Sequence, residues 1–80
     1  MKAQHWLVGY DPDTELGVVE LAIPENVFGK IGNVVRFDRD DPDAIGCYEL
    51  TDGQAREIAS IVVGDNRLPP NLSFFLEATA

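Results

Sequence analysis

The chain has 80 residues, of which 45% are hydrophobic and 25% are charged, a composition typical of a folded globular domain. This length allows one domain, so we expect residues 1–80 to form a single folding unit. Fourteen Asp and Glu against six Lys and Arg give a formal net charge of -8. Direct binding to nucleic acid or to an anionic membrane is therefore not expected, because both require clustered basic side chains.

Two strands joined by a tight turn are predicted at the start of the chain. Apolar and aromatic residues alternate over 4–10, which is the pattern of a strand. One face of this strand carries Trp6, Val8 and Tyr10. The Asp-Pro-Asp-Thr segment at 11–14 has the chemistry of a turn, and a second strand is predicted over 15–23. Together these segments predict an N-terminal hairpin.

A short helix is predicted after the hairpin. Pro24 is suited to its first turn, and Val27, Phe28 and Ile31 follow at helical spacing. Residues 33–37 either continue this helix or form a brief extended segment.

The second half of the chain predicts a strand, a capped helix and a closing strand. A strand over 45–50 is followed by Thr51 and Gln54, which have the spacing of a capping box. Gly64 is placed to end that helix, and a strand over 72–77 closes the domain. The order ββαβαβ predicts an α+β fold, a small single-layer antiparallel or mixed β-sheet with two helices on one face.

The only histidine and the only cysteine offer little chemistry. We expect His5 to lie on the surface of the first strand, and Cys47 to pack inside its strand as a small hydrophobic residue. One His and one Cys cannot form a zinc site, and one Cys cannot form an intramolecular disulfide. We therefore expect a protein that is not an enzyme and binds no cofactor. Because no apolar leader is visible, we also expect it in the cytoplasm.

The most acidic segment, the loop over residues 37–43, does not have the spacing of a calcium loop. If position 1 is Asp38, Pro42 occupies a ligand position and Asp43 occupies the position of the glycine. If position 1 is Asp41, a ligand position falls on Ile45. The sequence therefore predicts no dedicated metal site.

The acidic residues are instead predicted to contact a partner. The loop carries one anionic patch, formed by Asp38, Asp40, Asp41 and Asp43. The hairpin turn carries a second patch, formed by Asp11 and Asp13. Such patches steer a basic partner and increase its association rate, although they also serve simply as solvated surface.

Three short motifs in the C-terminal half carry a family resemblance. They are CYELT at 47–51, QA at 54–55 and FLEA at 75–78, with a short apolar helix between the last two. This pattern resembles small acidic bacterial proteins encoded beside polymorphic toxins, including those of contact-dependent growth inhibition. The group is regarded as immunity proteins. The resemblance implies non-catalytic binding that blocks a cognate toxin, and many such toxins are nucleases with basic clefts.

The resemblance and the charge together predict an immunity protein that binds and neutralises a cognate toxin domain, with a nuclease as the expected toxin. In this hypothesis the acidic patches supply charge complementarity to the basic active-site surface. The alternative is a structural or regulatory interaction domain whose partner is not a toxin. A small hydrolase or metal-dependent enzyme is a third class, for which the sequence offers no candidate residues.

Overall fold

The chain folds into a four-stranded antiparallel sheet with two helices on one of its faces. The structure, a computed structural model, describes residues 3–79. The strands are β1 (Gln4–Tyr10), β2 (Gly17–Ile23), β3 (Tyr48–Leu50) and β4 (Ser73–Thr79), and the helices are α1 (Phe28–Val34) and α2 (Asp52–Val63). The strand order is β2-β1-β4-β3, and all three neighbouring pairs are antiparallel. The predicted α+β class and the order ββαβαβ are confirmed.

The core lies between the sheet and the two helices. Its largest fully buried side chains are Leu7, Ile31, Ile58 and Leu76. Burial of each such side chain contributes about 1.5–3 kcal/mol, so contacts between sheet and helices dominate the stability of the fold.

Helix α2 begins and ends where the sequence predicts. The Thr51 hydroxyl accepts a hydrogen bond from the Gln54 amide at 3.1 Å, and the Gln54 side chain accepts one from the Thr51 amide at 2.9 Å. Gly64 ends the helix in the left-handed conformation, with φ of 73°. The buried stripe consists of Ala55, Ile58 and Ala59. Within residues 3–79, no helix combines the length and the apolar character needed to cross a membrane.

The segment after β2 contains both of the conformations that its sequence allowed. A 3₁₀ turn over Glu25–Val27 follows Pro24 and leads directly into α1. The helix continues through Val34, whereas Val35 is extended. Residues 33 and 34 therefore continue the helix, and the chain leaves it at residue 35.

Strand β2 begins two residues later than predicted. The turn is still closing at Glu15, which has a φ of 61° and whose amide donates to the Asp11 carbonyl at 2.7 Å. The Asp11 amide in turn donates to the Leu16 carbonyl at 2.9 Å. These bonds hold the backbone of the loop, so pairing with β1 starts only at Gly17.

Strand β3 is shorter than the predicted strand over 45–50, and the expectation that Cys47 lies buried within it is wrong. The amides of Ile45 and Gly46 each donate to the Asp41 carboxylate at 2.8 Å, so they are not available for a strand ladder. Pairing starts at Tyr48, and Cys47 is exposed just before it.

The expectation that His5 lies on the strand surface is also wrong. His5 is 9% exposed and faces the helices, with its ring centroid 4.4 Å from that of Phe28. Its Nε2 lies 2.9 Å from the Asp43 carbonyl oxygen and 3.2 Å from that of Ala44. Because both partners can only accept, Nε2 carries a proton. The hydrogen bonds of His5 thus attach the loop before β3 to the start of β1.

We expect Gly9→Ala to destabilise the protein by about 1–3 kcal/mol, because extra atoms in a filled core force strain. A Cβ at Gly9 would lie 2.8 Å from Cε1 of Phe74 and 3.1 Å from Cδ1 of Leu72. Urea denaturation measures the change. Gly29→Ala is the matched control: its Cβ would meet nothing within 4 Å, so helix propensity should stabilise the protein by up to about 1 kcal/mol. Equal stability of both variants would contradict this account of Gly9.

Candidate protein-binding surface

Asp41, one of the predicted partner-binding residues, is engaged in holding its own loop. In addition to the two amide bonds described above, its carboxylate accepts a hydrogen bond from the Tyr48 hydroxyl at 2.7 Å. The Tyr48 bond and the two backbone bonds lower the pKa of Asp41 below 3.8. These bonds satisfy the carboxylate internally, so Asp41 organises the loop.

Asp11 has a similar role in the hairpin turn. Its side chain accepts hydrogen bonds from the amides of Asp13 at 2.8 Å and Thr14 at 3.4 Å. This is the bonding of an Asx turn, in which the carboxylate replaces a backbone acceptor. Asp13 itself is exposed.

The two predicted acidic patches lie at opposite ends of the sheet. The loop over 37–43 is held beside His5 at the start of β1, whereas the turn over 11–14 follows Tyr10 at its end. A strand of seven residues spans about 20 Å, so the patches do not form one surface. The acidic side chains that remain exposed in the loop are Asp38, Asp40 and Asp43.

The sheet face away from the helices is a second candidate surface, which we call the open face. It is formed by strand residues that alternate with the core residues: Trp6, Val8, Tyr10, Glu20, Ala22, Glu49, Phe75 and Glu77. Its apolar and aromatic side chains lie mainly on β1 and at Phe75, while Glu77 lies on the central strand β4 and Glu20 and Glu49 lie on the outer strands. Aromatic side chains are enriched at protein interfaces.

Hydrogen bonds and ring contacts hold the aromatic side chains of the open face in place. The Tyr10 hydroxyl donates to Glu77 Oε2 at 2.7 Å, and the Trp6 indole donates to Thr79 Oγ1 at 3.0 Å. The rings of Tyr10 and Phe75 meet edge to face, with centroids 5.8 Å apart. These contacts organise the surface before any partner binds.

The charge on the open face has one sign. The strands carry Glu20, Glu49 and Glu77 and contain neither Lys nor Arg. The hydrogen bond to Glu77, burial and the nearby negative charges raise the pKa of Tyr10 to about 12. The surface is therefore aromatic and negatively charged, which favours a partner with exposed basic residues.

A larger groove of about 750 Å³ lies at the N-terminal end of β1, beside the acidic loop. His5, Phe28 and Ile45 contribute to its lining. The His5 nitrogen on this side already binds two carbonyl oxygens, and Phe28 stacks on Phe37 with centroids 5.4 Å apart. His5 thus attaches the loop to the sheet, and Phe28 attaches it to α1. Within residues 3–79, no group of three or more His, Cys, Asp or Glu residues is arranged to bind a metal ion.

The sequence-based list of binding residues did not include the open face. The signal was present, because Trp6, Val8 and Tyr10 form an aromatic and apolar set on the face of β1 opposite Leu7. A strand that is apolar on both faces needs two covering layers, and the two helices supply one. The prediction of two helices on one face already implied an uncovered face, but the predicted binding residues were those where the acidic charge is densest.

The fold and the open face define a small acidic α+β domain with half-buried aromatic side chains on the uncovered face of its sheet. The chain belongs to the family described as domain of unknown function DUF7683, whose profile matches residues 4–77. No curated protein and no solved structure matches the chain. The family match covers all four strands almost completely, and so includes the open face.

We expect acid to release the loop that Asp41 holds. Because the pKa of Asp41 is lower in the folded protein than its ordinary 3.8, its stabilising effect is complete above 3.8 and is lost as the pH falls through the lower value. The amide signals of Ile45 and Gly46, followed by NMR, should titrate below pH 3.8. Asp41→Ala should abolish this titration, whereas the control Asp40→Ala should preserve it. A midpoint at or above 3.8 would contradict the bonding described.

We expect Glu77→Gln to lower the pKa of Tyr10 from about 12 toward 10.0, because the hydrogen bond loses its charged acceptor. Carbon NMR of labelled tyrosine resolves Tyr10 from Tyr48. At about pH 11 the Tyr10 phenol should remain protonated in the parent protein and ionise in the variant. Glu49→Gln removes the same charge from β3 and should leave Tyr10 unchanged. An identical shift in both variants would mean that the bond to Glu77 is not the cause.

Proposed function

We propose that this chain is an immunity protein that binds a basic toxin domain and covers the surface through which the toxin contacts its substrate. The observation that carries the proposal is the open face, an uncovered aromatic surface whose charged side chains are all acidic. Trp and Tyr are enriched among the residues that dominate binding energy at interfaces. The open face therefore has the composition of an anchoring site for a protein.

The charge of the chain favours a basic partner. The net charge of -8 produces a negative field that attracts positive surfaces and increases the rate of encounter. A nuclease must display Lys and Arg to bind phosphates, so its substrate cleft is a suitable target. An acidic protein placed over such a cleft excludes the nucleic acid without any catalytic step.

The interface would extend beyond the open face to one end of the sheet. A standard interface takes about 800 Å² from each partner, here about one seventh of the 5355 Å² accessible surface. The exposed loop residues Asp38, Asp40 and Asp43 then act at the rim, where charges mainly affect the association rate. The aromatic residues of the open face act at the centre, where they determine the dissociation rate.

The mechanism uses binding alone and takes place in the cytoplasm, where the toxin would act. It needs no nucleophile, general base or cofactor. The only histidine binds two backbone carbonyl groups. Partial desolvation and the negative charge of Glu77 raise the pKa of the Cys47 thiol, which disfavours the reactive thiolate. Both features agree with a protein that acts by occlusion.

The test is co-expression with the C-terminal domain, about 100 residues, encoded by the gene immediately upstream. We expect the toxin domain to stop growth, this chain to restore it, and the two to co-purify at low and high salt. Trp6→Thr should weaken binding by about 2 kcal/mol, or about thirtyfold, because it removes a central aromatic residue. Asp38→Asn with Asp40→Asn is the control, which should slow association and leave dissociation unchanged. A harmless upstream product with no complex would contradict the immunity function.

The alternative is a regulatory interaction domain with a partner that is not a toxin. Strand β2 lies at the edge of the sheet and offers a site for pairing with another strand. Leu16, just before this strand, is 68% exposed, and Val18, within it, is 55% exposed. If this chain forms a stable protein complex but does not restore growth of cells that express the toxin domain, the result would favour this alternative.

A further inference from the structure

A shallow groove of about 220 Å³ crosses the centre of the open face. It is lined by Trp6, Val8, Tyr10, Glu20, Glu77 and Thr79. Register explains its shape: β1 forms the floor, while Glu20 on β2 lies opposite Val8 and Glu77 on β4 lies opposite Trp6. The two carboxylates therefore flank the floor from opposite sides.

The Tyr10 ring leans along β1 over this floor. Tyr10 lies opposite Ser73, four residues before Glu77 on β4, and yet its hydroxyl reaches the Glu77 carboxylate. The ring must therefore extend across the neighbouring Val8, which agrees with the 6% exposure of that valine. The groove thus offers the indole of Trp6 at one end and the phenol of Tyr10 toward the other.

Both carboxylates retain the capacity to accept hydrogen bonds. Tyr10 donates to Oε2 of Glu77, which leaves Oε1 available. Glu20 is exposed, and its carboxylate and the Tyr10 ring both lie close to Gly17, since a Cβ there would be 3.6 Å from Oε1 of Glu20 and 3.9 Å from the ring. No Lys or Arg lies on the strands to neutralise these acids.

We propose that this groove binds an arginine side chain of the partner protein, with its guanidinium against the aromatic rings and its N–H groups donating to Glu20 and Glu77. The inference rests on the proposed function, because the arginine would belong to the basic surface of the toxin. Guanidinium is planar, stacks on aromatic rings and forms paired hydrogen bonds with carboxylates. Lysine matches the charge but does not provide the planar fork, so arginine is the selected side chain.

A second copy of this chain is a poor occupant of the groove. Two open faces in contact would bring Glu20, Glu49 and Glu77 of each copy together without a basic residue from any strand. Arg56 and Arg67 pair with Asp52 and Asp65 at 2.8 Å and 2.9 Å on the same chain. Lys30 lies on α1, and Arg36 and Arg39 lie in the segment after it, so a face-to-face contact of two open faces brings no strand-borne cation to the groove. Charge complementarity therefore favours a different protein as the source of the arginine.

Tryptophan fluorescence reports on this groove specifically, because Trp6, which lines it, is the only tryptophan of the chain. The experiment titrates the protein with a hexa-arginine peptide and, separately, with a hexalysine peptide of equal charge. Tryptophan fluorescence and two-dimensional NMR report binding. We expect the arginine peptide to bind about fivefold more tightly, with shifts at Trp6, Tyr10 and Glu77.

Two double variants separate the groove from general electrostatics. Glu20→Gln with Glu77→Gln should abolish the preference for arginine, whereas Asp38→Asn with Asp40→Asn removes the same charge elsewhere and should preserve it. Glu20→Gln alone, at an exposed position, should reduce the preference without disturbing the bond between Tyr10 and Glu77. Amide NMR spectra check that each variant is folded.

Equal affinity for the two peptides, or an equal loss of the preference in both double variants, would overturn the arginine site. A dimer detected by sedimentation, in which Trp6 is shielded from solvent, would also overturn it, because a second copy of the chain would then occupy the open face. These outcomes are independent of the growth assay. Arginine selectivity without protection would overturn the immunity function alone, and protection without selectivity would overturn the groove alone.

Discussion

The central strand β1 carries large apolar or aromatic side chains on both of its faces, while both helices lie on one side of the sheet. On β1 and β4, Leu7 and Leu76 enter the core, whereas Trp6 and Phe75 face the other way. Within the part of the chain that the structure describes, the helices cover one face of the sheet and no element covers the opposite face. Its glutamates oppose association between copies, because like charges directly across an interface are unfavourable.

The same sheet determines which acidic residues are available for binding. His5 and Asp41 attach the loop before β3, one through backbone carbonyl groups and the other through backbone amides and a tyrosine hydroxyl. In the hairpin turn, the Asp11 carboxylate likewise accepts a hydrogen bond from a backbone amide, that of Asp13. A dense run of Asp in the sequence is thus divided by the structure into residues that organise the loop and residues that face solvent.

Hydrogen-bonded aromatic side chains on the open face are well suited to the proposed function. Binding costs less when side chains are already ordered, and the hydrogen bonds of Trp6 and Tyr10 provide this order. In the proposal the acidic loop attracts the toxin and the open face holds it. Substitutions in the acidic loop would then change the association rate constant, whereas substitutions of the aromatic residues of the open face would change the dissociation rate constant.

Local signals in the sequence determined the elements of the fold. Alternation predicted β1, the capping box of Thr51 and Gln54 predicted the start of α2, and Gly64 predicted its end, because each depends on neighbouring residues alone. Tertiary contacts decided the rest. The length of β3 depends on where the Asp41 carboxylate binds backbone amides, and the burial of His5 depends on how α1 and the loop before β3 pack against the start of β1. Such long-range contacts leave no periodic trace in the sequence.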